Sequence, residues 1–488
     1  MRSHWLILAI LGSMAAATAA HAATACEALT GVSLPHAQVT AATTAPAGSL
    51  TACKIEVTSR PTSDSEIRIE VWIPVGAAWN GRYVQLGNGG LAGSISTPFL
   101  QGFAAQGYAA AMTDDGHQAQ GTDGRWAMGH PEKVVDFGWR ALKETTDAAK
   151  ALIRAYGTGG PKFAYFFGCS DGGREALMEA QRFPNDFNGI VAGAPAYNFT
   201  GLLRLAVFNR QTLAAPGAFL PADKLGTLEA GAQQACGGGF FIADPAGCQF
   251  DPTKIVCKAE DRPDCVSAAQ AAAARAIYKG LGGDVPGFTP GEEGEAGAWL
   301  SWITGPSPET SGQALSAMFA RSFWGDFVFG DADYDTLKLD LAGAPKASAD
   351  LAKTLNSTDP DLKAFRAHGG KLIQYHGWND PAIPARASVV YYEDVSRTMG
   401  ETGDFYRLYM IPGMLHCGGG PGPSNVNWMT ALRAWVEQGQ APAAMIATGA
   451  SATGPREQAI CPYPDLGALE EHTGQASTAR CLARKRAG

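Results

Sequence analysis

The stretch Phe166–Glu175 reads FFGCSDGGRE and places Ser170 between two glycines. Residues 168–172 fit the pattern G-x-S-x-G, after the apolar run KFAYFFG and before the helix-like run REALMEAQRF. A strand, a sharp turn and a helix in this order form a nucleophile elbow, which exposes a serine hydroxyl at the top of an α/β sheet. The stretch therefore predicts a nucleophilic serine. The alternative is a glycine-rich turn whose serine only caps the helix.

Apolar and helix-like runs alternate around this serine. Five strand-like runs lie between Glu66 and Pro195, namely EIRIEVWIP, RYVQLG, YAAAMTD, KFAYFFG and GIVAGAP. The run WRALKETTDAAKALIRAYG, between the third and the fourth, has helical spacing and ends at Gly157, as helices commonly do. Strands that alternate with helices predict parallel crossover units, and therefore a mostly parallel, doubly wound sheet of the α/β-hydrolase type.

The alternation stops after about Asn198 and resumes with the strand-like runs KLIQYHG and FYRLYMIP. The segment between is rich in Ala, Gly and Pro and contains two close pairs of cysteines. We predict one α/β-hydrolase domain in two parts, residues 23–197 and 346–488, with residues 198–345 inserted as a lid domain. Two sequential domains are the alternative.

Residues 1–22, MRSHWLILAILGSMAAATAAHA, have the features of a secretory signal peptide. A basic Arg2 precedes an apolar stretch and a small-residue site, which predicts cleavage near Ala22. The alternatives are a retained anchor or a lipid on Cys26. We expect a secreted or periplasmic protein, a monomer or homodimer. The formal net charge of −8, without a long basic run, argues against nucleic acid or an anionic membrane as partner.

A serine hydroxyl is a weak nucleophile that needs a base and an orienting carboxylate. In α/β hydrolases the acid and then the histidine follow the serine in the chain. His416 follows the run YRLYMIP in a glycine-rich turn, and Asp380 follows KLIQYHG in the turn WNDP, so these two are the predicted partners. An exposed loop histidine and a turn-capping aspartate are the alternatives. The other histidines after Ser170 are His368, His376 and His472.

Backbone donors for an oxyanion are predicted at two places. One is the amide of Asp171, directly after the serine, and the other belongs to a loop after an earlier strand. Leu86–Gly93, LGNGGLAG, is such a loop, and we choose Gly90 as the donor, with Gly89 the next candidate. A plain glycine-rich loop is the alternative. His376 ends the strand before Asp380 and either lines the pocket or only hydrogen-bonds the turn.

Ten cysteines, all after residue 22, favour disulfides over a metal cluster in an exported chain. The sequence alone does not establish their connectivity, but short separations suggest four pairs: Cys26 with Cys53, Cys236 with Cys248, Cys257 with Cys265, and Cys461 with Cys481. Cys169 and Cys417 are then left for each other. Because these two cysteines adjoin Ser170 and His416, a bridge between them would hold the Cα atoms of Ser170 and His416 within roughly 14 Å of each other.

Several motifs together resemble the tannase and feruloyl esterase family: WNGRYVQLGNGG, YFFGCSDGGREALMEAQRFP, DFNGIVAGAPA, KLIQYHGWND, IPGMLHCGGGPG and AICPYPD. The resemblance runs from about Cys26 to the end of the chain. It implies a catalytic set of Ser170, Asp380 and His416, a disulfide between Cys169 and Cys417, and a lid that supplies much of the acyl pocket.

The activity implied by the resemblance is hydrolysis of aromatic carboxylic esters, hydroxycinnamoyl before galloyl, through an acyl-enzyme. Trp299, Trp302 and Phe319 of the lid are candidates to stack on the acyl ring, with core packing as the alternative for each. An acyltransferase on the same scaffold and a non-catalytic binding protein are the other classes considered.

Two departures from the family pattern concern the lid. Members typically carry an aspartate-rich calcium loop after a cysteine, but Asp244 is the only acid between Cys236 and Cys248. Calcium takes about six to eight oxygen ligands, so we expect no metal and no cofactor. Terephthalate monoester hydrolases of the family use a lid arginine where this chain has Ala314, which argues against that substrate. The nearby Arg321 is expected to be structural.

Overall fold

The computed structural model describes residues 25–451, 454–470 and 477–484, so the predicted leader and His472 lie outside the described residues. Within those ranges, no helix combines the length and the apolar character needed to cross a membrane. The strands are β1 (Ala37–Ala47), β2 (Leu50–Ser59), β3 (Ile67–Pro74), β4 (Arg82–Leu86), β5 (Ala109–Thr113), β6 (Phe163–Cys169), β7 (Gly189–Gly193), β8 (Gly280–Gly282), β9 (Val285–Pro286), β10 (Lys371–Gly377), β11 (Tyr406–Ile411), β12 (Met445–Ser451), β13 (Gly454–Ile460), β14 (Leu466–Glu470) and β15 (Thr478–Leu482).

Helices flank the strands on both sides. They are α1 (Thr97–Ala104), α2 (Pro131–Val135), α3 (Ala141–Ile153), α4 (Asp171–Arg182), α5 (Phe199–Leu213), α6 (Ala222–Cys236), α7 (Ala268–Lys279), α8 (Leu315–Arg321), α9 (Ala344–Ala347), α10 (Ala349–Leu355), α11 (Lys363–Ala367), α12 (Ala385–Met399) and α13 (Trp428–Gln438).

A nine-stranded sheet with the order β1-β2-β3-β5-β4-β6-β7-β10-β11 forms the centre of the fold. The six strands from β5 to β11 in this order pair in parallel, whereas β1, β2, β3 and β5 pair antiparallel. Every residue of β5 and β7 is buried, because helices cover both faces of the parallel part. The predicted α/β fold is confirmed.

Strands β1 and β2 extend the sheet at one edge and were not among the predicted runs. The β1 sequence AQVTAATTAPA contains one large apolar residue, Val39, and only three of its eleven residues are buried, Val39, Ala42 and Ala47. An edge strand of this kind carries a weak apolar pattern because most of its surface faces solvent.

Residues between β7 and β10 contribute no strand to the central sheet. The segment begins with α5, where the Asn198 side chain accepts the Gly201 N–H and caps the helix. A separate core, formed largely by α5, α6, α7 and the segment around Trp299, lies within it. The limits predicted for the lid domain stay a prediction.

The structure contains five disulfides and leaves no cysteine free among the described residues. They join the four pairs that the short separations suggested, Cys26–Cys53, Cys236–Cys248, Cys257–Cys265 and Cys461–Cys481, and the two cysteines left over, Cys169 and Cys417. Four of them join cysteines 8 to 27 residues apart in the chain. Cys169–Cys417 spans 248 residues and connects the end of β6 to the loop after β11.

Candidate active site

Ser170 lies in the turn between β6 and α4, with φ of 67° and ψ of −122°. A positive φ is uncommon outside glycine, and at this turn it aims the side chain away from the sheet. Helix α4 approaches the loop after β4 closely at Gly172. Only glycine permits this approach, because a Cβ on Gly172 would lie 2.8 Å from the Asn88 carbonyl oxygen. The stretch FFGCSDGGRE therefore adopts the predicted elbow.

Three side chains form a hydrogen-bonded chain above the sheet. His416 Nε2 lies 2.9 Å from Ser170 Oγ, and His416 Nδ1 lies 2.7 Å from Asp380 Oδ2. An ionised carboxylate can only accept, so Nδ1 carries a proton and the neutral ring accepts the serine hydroxyl at Nε2. The three residues follow β6, β10 and β11, whose carboxyl ends lie at one edge of the sheet.

Asp380 is buried and fully hydrogen-bonded. Oδ1 accepts the backbone N–H groups of Ala382 and Ile383 at 2.7 and 2.9 Å, and Oδ2 lies 3.1 Å from His376 Nε2. Burial opposes the charged carboxylate, but the charges and hydrogen bonds of His416 and His376 outweigh burial and lower the pKa of Asp380 below its ordinary value. The carboxylate is therefore ionised when His416 needs a partner.

Substituting Asp380 with Asn is expected to flatten the acid side of the stability profile. A carboxyl whose pKa is depressed in the folded state adds stability above its unfolded pKa of about 4, and this is lost as pH falls through the folded value. Urea unfolding midpoints measured from about pH 7 to about pH 3 should therefore converge between wild type and Asp380→Asn at low pH. The exposed Asp333→Asn should follow wild type. A constant gap between Asp380→Asn and wild type across this range would contradict the account.

His376 is not on the cavity wall. It is fully buried, its Nδ1 lies 2.7 Å from Ser388 Oγ, and its Nε2 faces Asp380 and the Ile383 carbonyl oxygen. Of the two alternatives for this residue, the structure favours hydrogen bonding in the turn. The assignment of His376 to substrate binding is corrected, because the ring points behind Asp380 and away from the open space.

The disulfide between Cys169 and Cys417 links the loop that carries Ser170 to the loop that carries His416. Its Cα atoms are 6.0 Å apart, and each cysteine is the sequence neighbour of Ser170 or His416. Cys417 also has a positive φ of 60°. The covalent link thus fixes the distance between two loops that belong to different strands.

Three backbone amides face the open space beside Ser170. Those of Gly89, Gly90 and Asp171 have no protein acceptor within the described ranges, and all three residues line the cavity. Gly90 has φ of 64°, and a Cβ there would lie 2.5 Å from the Gly121 carbonyl oxygen, so only glycine fits. Two such amides beside a nucleophile are suited to bind an oxyanion.

The cavity above Ser170 has a volume of about 380 Å³. Apart from Ser170, Asp171 and His416, the polar groups among the described side chains that line it are the Trp302 indole N–H and the Ser316 hydroxyl, and the hydroxyl donates to the Trp302 carbonyl oxygen. The apolar wall comprises Leu91, Ala196, Phe199, Leu202, Leu203, Ala206, Trp302, Phe319, Ala382 and Ile383. The space is therefore suited to an apolar or aromatic group.

Of the three predicted lid aromatics, two line the cavity. The Trp302 ring contacts the His416 ring edge-on, with the ring centroids 5.2 Å apart, and stacks with the Phe319 ring at a centroid distance of 6.3 Å. Trp299 does not line it: only 3% of this residue is exposed, and it packs on Tyr278 and Phe288 in the lid core. The assignment of Trp299 to substrate binding is corrected, because its ring turns toward the core of the lid.

Helix α5 supplies a wall of the cavity that was not predicted from the sequence. Its contribution is Phe199, Leu202, Leu203 and Ala206. The spacing of these residues is that of one helical face, but a face packed into a core has the same spacing. The sequence therefore shows an apolar face on α5, but it does not show that this face lines a cavity.

Comparisons with known proteins agree with this architecture. A model of the family described as tannase and feruloyl esterase matches residues 53–482. An uncharacterized esterase of Xanthomonas campestris pv. campestris is 37% identical over 525 residues, covering 94% of this chain and 90% of that protein. A "Probable feruloyl esterase B-2" of Aspergillus terreus is 31% identical over 457 residues, covering 84% and 82%.

A solved structure matches as well. The crystal structure of feruloyl esterase B from Aspergillus oryzae has a TM-score of 0.83 and 27% identity, covering 94% of this chain and 99% of that one. The family match extends over most of the chain, and the relatives are named esterases. This chain is accordingly a carboxylic ester hydrolase, with a small-molecule ester as substrate, and it belongs to the tannase and feruloyl esterase family.

Proposed function

We propose that this hydrolase cleaves aromatic carboxylic esters through an acyl-enzyme, with Ser170 as nucleophile, His416 as base and Asp380 as the orienting carboxylate. The observation that carries the proposal is the continuous chain of hydrogen bonds from Asp380 through His416 to Ser170, which ends in an apolar cavity. Neighbouring amides of Gly90 and Asp171 support it, since they are free to bind a developing negative charge.

In the first half of the reaction, His416 Nε2 takes the hydroxyl proton while Ser170 Oγ attacks the ester carbon. The carbonyl oxygen becomes negative and accepts hydrogen bonds from the amides of Gly90 and Asp171. Collapse of this tetrahedral intermediate breaks the ester bond, and His416 passes its proton to the departing alcohol. Water then attacks the acyl-serine with His416 again as base, which releases the acid and restores Ser170. Asp380 stays ionised throughout and stabilises the charged imidazole.

Hydroxycinnamoyl esters suit the cavity better than galloyl esters. A galloyl ring would bring three hydroxyls against a largely apolar wall. The Ser316 hydroxyl in that wall already donates to the Trp302 carbonyl oxygen. Buried hydroxyls without partners cost free energy. A terephthalate monoester would bring a carboxylate into a space that no lysine or arginine among the described residues lines. The relatives named feruloyl esterases support the same order of substrates.

A panel of esters tests this proposal directly. The expected order of kcat/KM is methyl ferulate first, methyl gallate lower by about 10- to 100-fold, and a terephthalate monoester lowest, because unpaired polar groups weaken transition-state binding. A short p-nitrophenyl ester serves as the control that reports the chemical machinery without an aromatic acyl group. Added acceptor alcohol separates hydrolysis from acyl transfer by its products. Preference for methyl gallate over methyl ferulate would contradict the assignment of the acyl group.

The lid is proposed to function without calcium, although the family resemblance implies a metal there. Asp244, the only acid between Cys236 and Cys248, accepts the Gly247 N–H at 3.2 Å and pairs with Arg484 at 2.8 Å. One carboxylate that is already bound by a guanidinium does not fit an ion that takes about six to eight oxygen ligands. The five disulfides support an exported protein, secreted or periplasmic.

A further inference from the structure

Two carboxyl groups lie fully buried behind the elbow, and the mechanism above does not use them. Asp115 follows the end of β5, and Glu175 lies in the first half of α4. Together with Asp171, they bring carboxyl oxygens within 4.8 Å of one another. Within the described ranges, no donor reaches either oxygen of Asp115 or Oε1 of Glu175 when both carboxyls are ionised. Two such anions side by side would be very unstable.

One proton between the two groups resolves this conflict. The carboxyl oxygens of Asp115 and Glu175 lie within 4.8 Å of each other, and two carboxyls can share a hydrogen bond only when one of them is protonated. Burial, followed by the neighbouring carboxylates, raises the pKa of both groups. Because Glu175 Oε2 already accepts the Asn88 backbone N–H at 3.0 Å, the proton belongs on Asp115, which donates it to the ionised Glu175.

The surroundings do not supply a cation of their own for this pair. The Arg174 guanidinium is bound by the Asp171 carboxylate at 2.6 and 3.0 Å and donates to two backbone carbonyls, those of Gly138 and Phe137. Burial raises the pKa of Glu179, one turn further along α4. The titratable and charged groups around the pair are Asp171, Arg174 and Glu179 on α4, and Asp114, which precedes Asp115 in the chain and whose pKa burial raises to about 7. Asp136 packs against Gly116, which follows Asp115.

Asn88 connects the carboxyl pair to both halves of the oxyanion site. Its N–H is held by Glu175, its carbonyl oxygen accepts the Gly172 N–H at 2.8 Å, and its side-chain amide donates to the Thr113 carbonyl oxygen at 3.1 Å. Asn88 lies two residues before Gly90, and Gly172 directly follows Asp171. The contacts of this one residue therefore set the distance between the two free amides.

We propose that Asp115 and Glu175 share one proton and act as a positioning pair that holds the Asn88 loop, and with it the oxyanion donor, against α4. This proposal rests on the esterase mechanism proposed above. The pair does not line the substrate cavity and acts through Asn88. Loss of the shared proton leaves two carboxylates in contact beside Asp171, so the loop shifts and transition-state stabilisation falls. Substrate binding changes little, because α5 and the lid form most of the cavity wall.

Variants of Glu175 test the positioning role on methyl ferulate hydrolysis. Glu175→Ala is expected to lower kcat by about 100-fold, the effect of losing one oxyanion donor, with KM within about threefold of wild type. Glu175→Gln should recover at least about tenfold of that loss, since its amide oxygen accepts the Asn88 N–H and its amide nitrogen donates to Asp115. Glu179→Gln, buried on the same helix, is the matched control and should keep the wild-type kcat.

The pH profile tests the shared proton. The kcat of wild type should fall between about pH 7 and about pH 10, whereas Asp115→Asn should stay flat there, because an amide donates to Glu175 without ionising. The proposal is overturned if Asp115→Asn falls like wild type, or if Glu175→Ala keeps the wild-type kcat. It is also overturned if EDTA abolishes activity and mass analysis finds one metal per chain, since a cation would then bridge the carboxyls.

Failure of this proposal is distinguishable from failure of the esterase mechanism. An active Ser170→Ala variant would refute the mechanism. An inactive Ser170→Ala variant, combined with wild-type behaviour of Glu175→Ala and Asp115→Asn, would refute only the positioning pair. If circular dichroism finds that Glu175→Ala does not fold, the pH profile of Asp115→Asn decides the question.

Discussion

Substitution of Ser170 with alanine is expected to lower kcat for methyl ferulate by about 10⁴- to 10⁶-fold, with KM within a few-fold of wild type. The alanine lacks the oxygen that forms the acyl-enzyme, while the cavity and the free amides of Gly90 and Asp171 stay in place. What activity is left would come from water held near His416 and from oxyanion binding. Stopped assays with high-purity protein, corrected for spontaneous hydrolysis, measure the difference.

The control for this prediction is Ser301→Ala, an exposed lid serine, which should have the wild-type kcat. A serine-directed phosphonate should label the wild-type protein once, on the peptide that contains Ser170, and should not label Ser170→Ala. Labelling of another residue, or a Ser170→Ala variant within about tenfold of wild type, would show that a different nucleophile operates.

Removal of the Cys169–Cys417 bridge by a double alanine substitution is expected to lower the free energy of unfolding by about 2 to 5 kcal/mol. The bridge spans 248 residues, so it restricts the unfolded chain strongly. We also expect kcat to fall by about 10- to 100-fold, because the distance between Ser170 and His416 is no longer held covalently. Denaturant unfolding and initial rates on the same preparation measure both effects.

The matched control is the double alanine variant of Cys257 and Cys265, whose bridge spans 8 residues in the lid. The chain-entropy argument gives this short loop a contribution about 3 kcal/mol smaller than the long one, and it lies in a segment that supplies no residue to the cavity wall. Equal losses of stability in the two variants, or a wild-type kcat without the Cys169–Cys417 bridge, would contradict the role given to that bridge.

The main features of the fold were predictable because strands in a parallel sheet are buried on both faces. Their sequences are largely apolar runs, and six of the seven predicted runs, such as KFAYFFG and KLIQYHG, are strands of the parallel part. The seventh, EIRIEVWIP, is the antiparallel strand β3. Strands β1 and β2, at one side of the sheet, were missed for the complementary reason, since exposed and polar residues interrupt their apolar pattern. The strand count therefore depended on how deeply each strand is buried.

The polar part of the site was predictable from strand ends. Ser170, Asp380 and His416 each follow a strand of the parallel sheet, and the carboxyl ends of parallel strands meet at one edge. The two neighbouring cysteines added a distance restraint that few sequences contain. The structure accordingly brings these five residues together. His416 forms hydrogen bonds of 2.7 Å with Asp380 and 2.9 Å with Ser170.

Side-chain direction inside the lid was not predictable. Trp299 and Trp302 are three residues apart in one segment, yet Trp302 faces His416 while Trp299 packs into the lid core. Composition and spacing are alike for a face that lines a cavity and a face that packs in a core. Only the docking of the lid on the sheet distinguishes them.

The sequence by itself determined the elbow around Ser170 and the strands of the parallel sheet, because these follow from local sequence patterns. It suggested the pairing of Cys169 with Cys417 from the spacing and count of the cysteines, without establishing it. Tertiary structure alone decided the apolar wall from α5, the place of His376 behind Asp380 and the contact between Asp115 and Glu175. Each of these depends on segments far apart in the chain, and the burial of these groups arises only when those segments pack together.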